Sequence, residues 1–314
     1  MNKGKLSESA LKRSVLKRVS DHNKRSGAGI GIDAGGFEAK GQRFLMSSAA
    51  ITGEDKGNGE LAVVRAVNSM AAAGGRALAV SLSVITTDTA GEAFVKRIVD
   101  EAARACEKTG TTLVTGNTLV GGEASVSVTV TGEKENDLKS PGKDRDRILI
   151  MAGNAGNAGS AMLADKCFDR LKQRLTADYI NKAIGDFNDI GTFEAARRLA
   201  EKTGGTVAMH DISEGGVFGA LWELLEREKA GASVYLKDIP IRQSAIEVCE
   251  ILDVSPYQLR GDGGLLAIVE DSPENRELGK VIGIIDNSAD RVIINGEEKR
   301  FLEPNRFDPY YDIP

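Results

Sequence analysis

"HDISEGGVFGALWELLE", residues 210–226, is a junction at which a strand gives way to a helix. "GTVAM" just before it reads as the strand. Asp211 can cap the helix, with Glu214 three residues on in capping-box spacing. Trp222 recurs at helical spacing with Leu221 and Leu225, which predicts core packing. Gly215 and Gly216 carry no side chains, so a ligand could approach the first turn, where the macrodipole favours an anion. The same glycines equally suit a well-capped core helix that packs tightly. The residues leave both readings open.

Working outward, the C-terminal half interleaves both element types. "RILIMA", "ASVYL", "GGLLAIV", "KVIGII" and "DRVIING" read as strands, the last closed by an Asn-Gly turn signal. "LADKCFDRLKQRL", residues near 178–184 and 189–203, and "RQSAIEVCEILD" read as helices. The N-terminal half repeats the mixture. "QRFLMSS", "ALAVSLSVIT", a short "TTLVT" and a strictly alternating "EASVSVTVTGE" are strands, the last with Val126, Val128 and Val130 on one face. "ELAVVRAVNSMAAAGG" is a helix stopped at Gly74–Gly75. "GEAFVKRIVDEAARACEKTG" is amphipathic, with Phe94, Val95, Ile98, Ala102 and Cys106 on one side. Ser7 is the expected N-cap of an opening helix whose face carries Leu6, Leu11, Val15, Leu16 and Val19. The charged, Pro-Gly-containing stretch 133–147 is the expected hinge. The sequence thus predicts an α/β (α+β) protein of two domains, residues 1–145 and 146–314.

Composition narrows the function. The chain has 314 residues, 41% of them apolar, and a net charge of −5. That balance argues against a general nucleic-acid binder. The basic start (Lys3, Lys5, Lys12, Arg13, Lys17, Arg18, Lys24, Arg25) reads as a solvated helix face. Cys106, Cys167 and Cys249 are scattered and read as buried thiols in a reducing cytoplasm. No signal-peptide core and no membrane-spanning run is expected.

A second glycine-rich stretch is "GAGIGIDAGGF", residues 27–37, with five glycines and one carboxylate, Asp33. "GIGIDA" satisfies the letter of the dinucleotide pattern, but the strand before and helix after are missing, so a Rossmann site is rejected. Its bare amides could form an anion nest, or the stretch is only a turn-rich loop. "MAGNAGNAGSAM", residues 151–162, reads as a mobile strand-to-helix connection. His22 and His210 are too few and too isolated for zinc or for a Ser-His-Asp arrangement.

Five segments stand in an order that resembles the AIR (aminoimidazole-ribonucleotide) synthase superfamily, within it the hydrogenase-maturation HypE-like branch. They are "GKLSESALKRSVL", "AGIGIDAGGF", "HDISEGGVFGALWELLE", "VYLKDIPIRQSAIEVCEILDVSPYQL" and "DRVIINGEEKRFLEP". The resemblance implies an N-terminal domain that pairs into a dimeric β-barrel, with ATP near that junction, and a C-terminal α/β domain. It implies a reaction in which ATP phosphorylates an amide- or carbamoyl-type oxygen, with Mg²⁺ held by acidic positions. Of those positions, Asp33 keeps its carboxylate beside Ile32. The family's Thr-Asp falls near Ser48 and Ala49, its Asn-Asp on Asn68 and Ser69, and its Gly-His-Thr-Glu on Gly116, Asn117, Thr118 and Leu119, so the acids of these motifs are replaced by Ala49, Ser69 and Leu119. The carried-over binding residues are Asp33, Gly35, Gly36, Asn68, Asn117, Thr118, Asp211, Gly215 and Gly216, with Asp33 the candidate metal ligand. The branch implies a C-terminal cysteine bearing the modified group, whereas this sequence ends "DPYYDIP". The resemblance therefore yields two expectations. One is a non-catalytic or weakly nucleotide-binding cytoplasmic homodimer with a depleted Mg-ATP site and a possible protein partner. The other is an active ATP-dependent enzyme of altered specificity.

Overall fold

The computed structural model describes residues 4–22 and 27–314. Two compact units emerge: Asp33–Asp137, and the described residues up to Ile32 together with Leu138–Pro314. Lys3, Lys24 and Arg25 of the basic start lie outside the described residues.

The chain opens with α1 (Glu8–Leu11), a π-helical turn Lys12–Leu16 and α2 (Lys17–His22). Ser7 stands at the N-cap, but its hydroxyl makes no capping bond. No residue of this arm is fully buried. Polar contacts attach it to its unit instead: the Trp222 indole donates to Glu8 at 3.0 Å.

The smaller unit runs β1 (Gly35–Ala39), β2 (Gln42–Thr52), α3 (Asn58–Ala72), β3 (Gly75–Thr86), α4 (Gly91–Thr109), β4 (Thr112–Val120) and β5 (Ser125–Lys134). Its five strands lie in the order β1-β2-β5-β3-β4. β3 and β4 pair in parallel across the α4 crossover, and the other pairs are antiparallel. The glycine-rich stretch is only partly a loop, because Gly35–Phe37 enter β1 and pair with Phe44–Met46. β4 is longer than the short strand expected. Burial alternates along β2: Leu45, Ser47, Ala49 and Ile51 face inward. Val126, Val128 and Val130 of β5 are buried in the same way, as the alternation predicts, and pair with Ile51, Ala49 and Ser47. α3 covers this face, and the Ser47 hydroxyl donates to the Ala66 carbonyl of α3 at 2.7 Å.

The N-terminus of α3 is closed from within. Glu101 of α4 accepts from the Gly57 amide at 3.0 Å and the Gly59 amide at 2.9 Å. A buried carboxylate thus takes the anion position that the helix dipole favours. The opposite face of the sheet has no helix over it within the unit. Met46, Ser48, Ala50, Ser81, Ser83, Ser127 and Thr129 lie there, half-buried or exposed.

The larger unit continues with β6 (Arg147–Ala152), α5 (Asn157–Lys166), α6 (Phe168–Leu171), α7 (Ala177–Gly185), α8 (Phe193–Lys202), β7 (Ala208–Asp211), α9 (Gly216–Glu228) and β8 (Gly231–Tyr235). Then come α10 (Gln243–Leu252), β9 (Leu265–Glu270), α11 (Pro273–Arg276), β10 (Lys280–Asp286), β11 (Arg291–Asn295) and β12 (Glu298–Phe301). The seven strands follow the order β12-β11-β8-β10-β6-β9-β7. One face packs on α9: Leu149, Met151, Leu266, Ile268 and Val234 meet Val217, Leu221, Leu224 and Leu225 in one apolar cluster. Trp222 flanks that cluster partly buried. All three cysteines are buried, as expected. Burial pushes the Cys249 thiol up to about 12. Among the described residues no helix is long and apolar enough to cross a membrane.

Candidate functional site

The β7–α9 junction differs from the capping-box expectation. Asp211 is the last residue of β7, and the N-cap of α9 is Gly215, in the left-handed region at φ 86° with no side-chain cap bond. Asp211 is buried, at 5% exposure. The helix's first amides find carbonyls instead: Gly216 N–H donates to Ser213 O at 3.1 Å and Phe218 N–H to Tyr257 O at 3.2 Å. Backbone packing accounts for the glycines. A Cβ on Gly215 would lie 2.6 Å from the Asn305 carbonyl oxygen, and one on Gly219 would lie 2.8 Å from the same atom. The Asn305 side chain donates to Gly215 O at 2.7 Å. The C-terminal segment therefore lies across the first turn of α9. Of the two readings the sequence left open, the packing one has direct contacts behind it.

Further along α9 sits a buried charge cluster. Glu223 lies between Trp222 and Leu224 and is itself buried. Its Oε2 receives Lys5 Nζ at 2.9 Å and faces His210 Nε2 at 3.0 Å, while Oε1 receives Arg306 at 2.5 Å. Burial alone would raise the Glu223 pKa. Lys5, the His210 bond and Arg306 outweigh it and hold the carboxyl well below the usual carboxylate range. Lys5 is pulled in the opposite sense: burial disfavours its charge, but Glu223 and Glu214 raise its pKa above the ordinary 10.5. Glu223 thus joins three parts of the chain: the N-terminal arm, β7 and the C-terminal segment. The Gly4–Phe307 bridge and the Lys5 N–H to Arg306 O bond at 2.9 Å tie the same termini together.

A second lock lies in the same unit. Arg260 and Asp308 are fully buried and paired at 2.8 Å. The Arg260 guanidinium also stacks 3.9 Å from the centre of the Tyr310 ring. Neither Glu223, Arg260, Arg306 nor Asp308 was singled out from sequence. The one signal was Glu223 itself, a carboxylate inside the apolar run "ALWELL".

The remaining sequence-derived residues are distributed within the smaller unit. Asp33 is half-buried just ahead of β1, and Gly35 and Gly36 are exposed within β1. Asn68 is buried in α3, at 2% exposure. Asn117 and Thr118 lie on the exposed edge strand β4, where the Asn117 side chain accepts from the Thr118 amide at 2.9 Å. Of the positions that the resemblance makes acidic, Ala49 faces the core and Leu119 is exposed; Ser48, beside Ala49, is exposed. Earlier in the glycine-rich stretch, Gly31 belongs to the larger unit and is a packing glycine. It has φ +68°, the Glu223 carbonyl occupies the space of its missing side chain, and its own carbonyl accepts from Arg227 at 2.8 Å.

Comparison with known proteins agrees with this architecture. Residues 44–133 match the family described as AIR synthase related protein, N-terminal domain. Residues 145–283 match AIR synthase related protein, C-terminal domain. The carbamoyl dehydratase HypE of Rhodobacter capsulatus is 30% identical over 224 residues, which span 68% of this chain. The match covers 62% of that relative, less than two thirds of its length. A solved HypE–HypF complex contains a chain that superimposes with a TM-score of 0.73 at 19% identity, covering 94% of this chain and 99% of that one. A HypE structure in complex with ATP gives 0.69 at 20% identity, covering 98% of each chain. At these identities the structural matches establish the fold.

Proposed function

Because the chain belongs to the AIR synthase related family, we propose that it is a HypE-like member that binds ATP weakly, pairs as a homodimer and lacks the metal shell for efficient ATP chemistry. The ATP complex of the HypE neighbour supports a nucleoside triphosphate as ligand. The HypE–HypF complex supports a protein partner.

The observation that carries the reading is the chemistry of the open sheet face. Along β2, β3 and β5 its middle offers Met46, Ser48, Ala50, Ser81, Ser83, Ser127 and Thr129, and the carboxylate that shares the face, Glu133 at the end of β5, is paired with Arg76. Mg²⁺ is a hard cation that is held beside a triphosphate by one or two carboxylates, waters and the phosphates themselves. Asp33 is the one carboxylate carried over in this unit. Asn68, buried at 2% exposure, supplies only an amide. This donor set does not fit a metal pair, so no phosphoryl-transfer step is derived through it. In the larger unit, the first-turn amides of α9 are engaged by Ser213 and Tyr257, which leaves a poor phosphate cradle there.

The same face supports pairing. A sheet face lined by small hydroxyl and apolar side chains, flanked by exposed Val114, Leu119 and Val120 on the edge strand, favours a second sheet over water. In this reading two copies bury these faces together, as the family's shared barrel requires.

A phosphate-release assay tests the proposal. With ATP and Mg²⁺ present, release stays at the no-enzyme rate. Metal-dependent turnover abolished by Asp33→Asn would overturn the depleted-site reading and restore an active enzyme.

A further inference from the structure

Arg147, the first residue of β6, is 4% exposed and has no carboxylate partner among the described residues. Its Nη2 donates to two neutral oxygens, Asn287 Oδ1 at 2.6 Å and Asp286 O at 3.3 Å. Its Nε is buried with no hydrogen-bond partner. A buried cation without a counter-charge is costly, and a native one calls for an explanation.

Arg147 lines a groove of about 720 Å³. That volume suits a small organic ligand. The groove lies within the larger unit, over parts of β6, β8 and β10. Ile284 is 51% exposed there and, with Tyr235 and Val281, forms an apolar floor. Most charges on the rim are already paired: Arg276 with Asp271, Lys280 with Asp238 and Arg145 with Glu270. Lys143 makes only a long bond, 3.4 Å, to a carbonyl. On the acidic side Asp144 and Asp146 line the groove and make no ion pair among the described residues. The unsatisfied charges therefore include both signs around an apolar floor.

We infer that this groove binds a small zwitterion of the amino-acid class with an apolar side chain. Its carboxylate meets Arg147 and Lys143, its ammonium meets Asp144 and Asp146, and its side chain lies on Ile284, Val281 and Tyr235. A multiply charged anion such as phosphate is disfavoured by the two aspartates. A lone cation is disfavoured by Arg147. The site is independent of the nucleotide reading and uses none of its residues. It also draws on the charged stretch 133–147, which the sequence marked only as a hinge.

Calorimetric titration of the full chain with four probes tests it: L-leucine, 4-methylpentanoate (leucine without its ammonium), 3-methylbutylamine (leucine without its carboxylate) and inorganic phosphate. L-leucine gives saturable binding, and each truncated probe binds roughly tenfold or more weakly, the loss expected for one charge-assisted contact. Phosphate gives no saturable heat. The double variant Asp144→Asn, Asp146→Asn alters only exposed side chains, so it folds, and it loses the preference for L-leucine over 4-methylpentanoate. Arg147→Lys keeps the buried charge but loses the planar fork, and it weakens leucine and 4-methylpentanoate alike. No saturable leucine binding, equal affinity for leucine and either truncated probe, tighter binding of phosphate, or an unchanged preference in the double variant would each overturn the inference.

Discussion

The two units solve the same packing problem with opposite endings. In the larger one, α9 seals a face of the sheet, and both chain termini are then fastened to that unit by buried charges. Glu223 gathers Lys5, Arg306 and His210, and Arg260 grips Asp308. In the smaller one, α3 seals one face, and the other carries hydroxyls, methyls and Met46 in its middle, with Phe44 and the Arg76–Glu133 pair at one end. Its buried carboxylate, Glu101, closes a helix end. Internal ion pairs complete the first unit by itself. The middle of the second unit's open face is apolar to neutral, which a second copy can complete, and neutral small side chains are what two sheets need in order to meet without desolvating charge.

That contrast can be broken at its strongest point first. Asp308→Asn removes the carboxylate that the buried Arg260 Nε meets at 2.8 Å, and the larger unit should lose about 3–5 kcal/mol in chemical denaturation. A loss near zero would mean that Tyr310 stacking alone holds the tail. Glu223→Gln should cost about 3 kcal/mol by stranding Lys5 and Arg306. It should also flatten the acid limb of stability. The Glu223 carboxyl is depressed in the folded chain, so its contribution is full above the ordinary glutamate value of 4.5 and fades as pH falls below it. A wild-type acid limb that matches the variant's would remove Glu223 from the account.

The open face is tested next. Ser127 lies mid-face, opposite Ala50 on one side and Ser83 on the other. Ser127→Glu puts like charges into the proposed pairing surface and should cost about 2 kcal/mol or more of association. Sedimentation velocity should then report monomer where the unchanged protein reports dimer. A dimer that survives the substitution would place the contact elsewhere. The smallest effect belongs to Phe37, 44% exposed and stacked on Phe44 at 5.5 Å. Phe37→Ala should cost about 1 kcal/mol in thermal unfolding, since only an exposed aromatic pair is lost.

Much of the fold was legible because period and punctuation agree in this sequence. The alternation of Val126, Val128 and Val130 and the helical spacing of Phe94, Ile98 and Cys106 each state a buried face outright. β1 was hidden by its glycines, which say nothing of period; its pairing with β2 supplies the order. The candidate site was less legible. Asp211 and Glu214 have the spacing of a capping box, but Gly215 and Gly216 adopt positive φ, and Gly215, not Asp211, is the N-cap. Glu223, Arg260 and Asp308 act through partners distant in sequence, as Arg260 and Asp308 do across 48 positions, and no local pattern records such a pairing. By the resemblance, acidic positions of the family fall on Ala49, Ser69 and Leu119.

The central claim is the proposed lack of a metal shell, and the magnesium dependence of nucleotide affinity tests it most directly. ATP titrated calorimetrically into the protein, with magnesium and with a chelator, should bind weakly and with the same affinity within about twofold, because in the proposed reading the chain adds little to the metal's own grip on the phosphates. Affinity that rises by roughly a hundredfold when magnesium is supplied would mean that carboxylates of this chain clamp the ion, and would contradict the account.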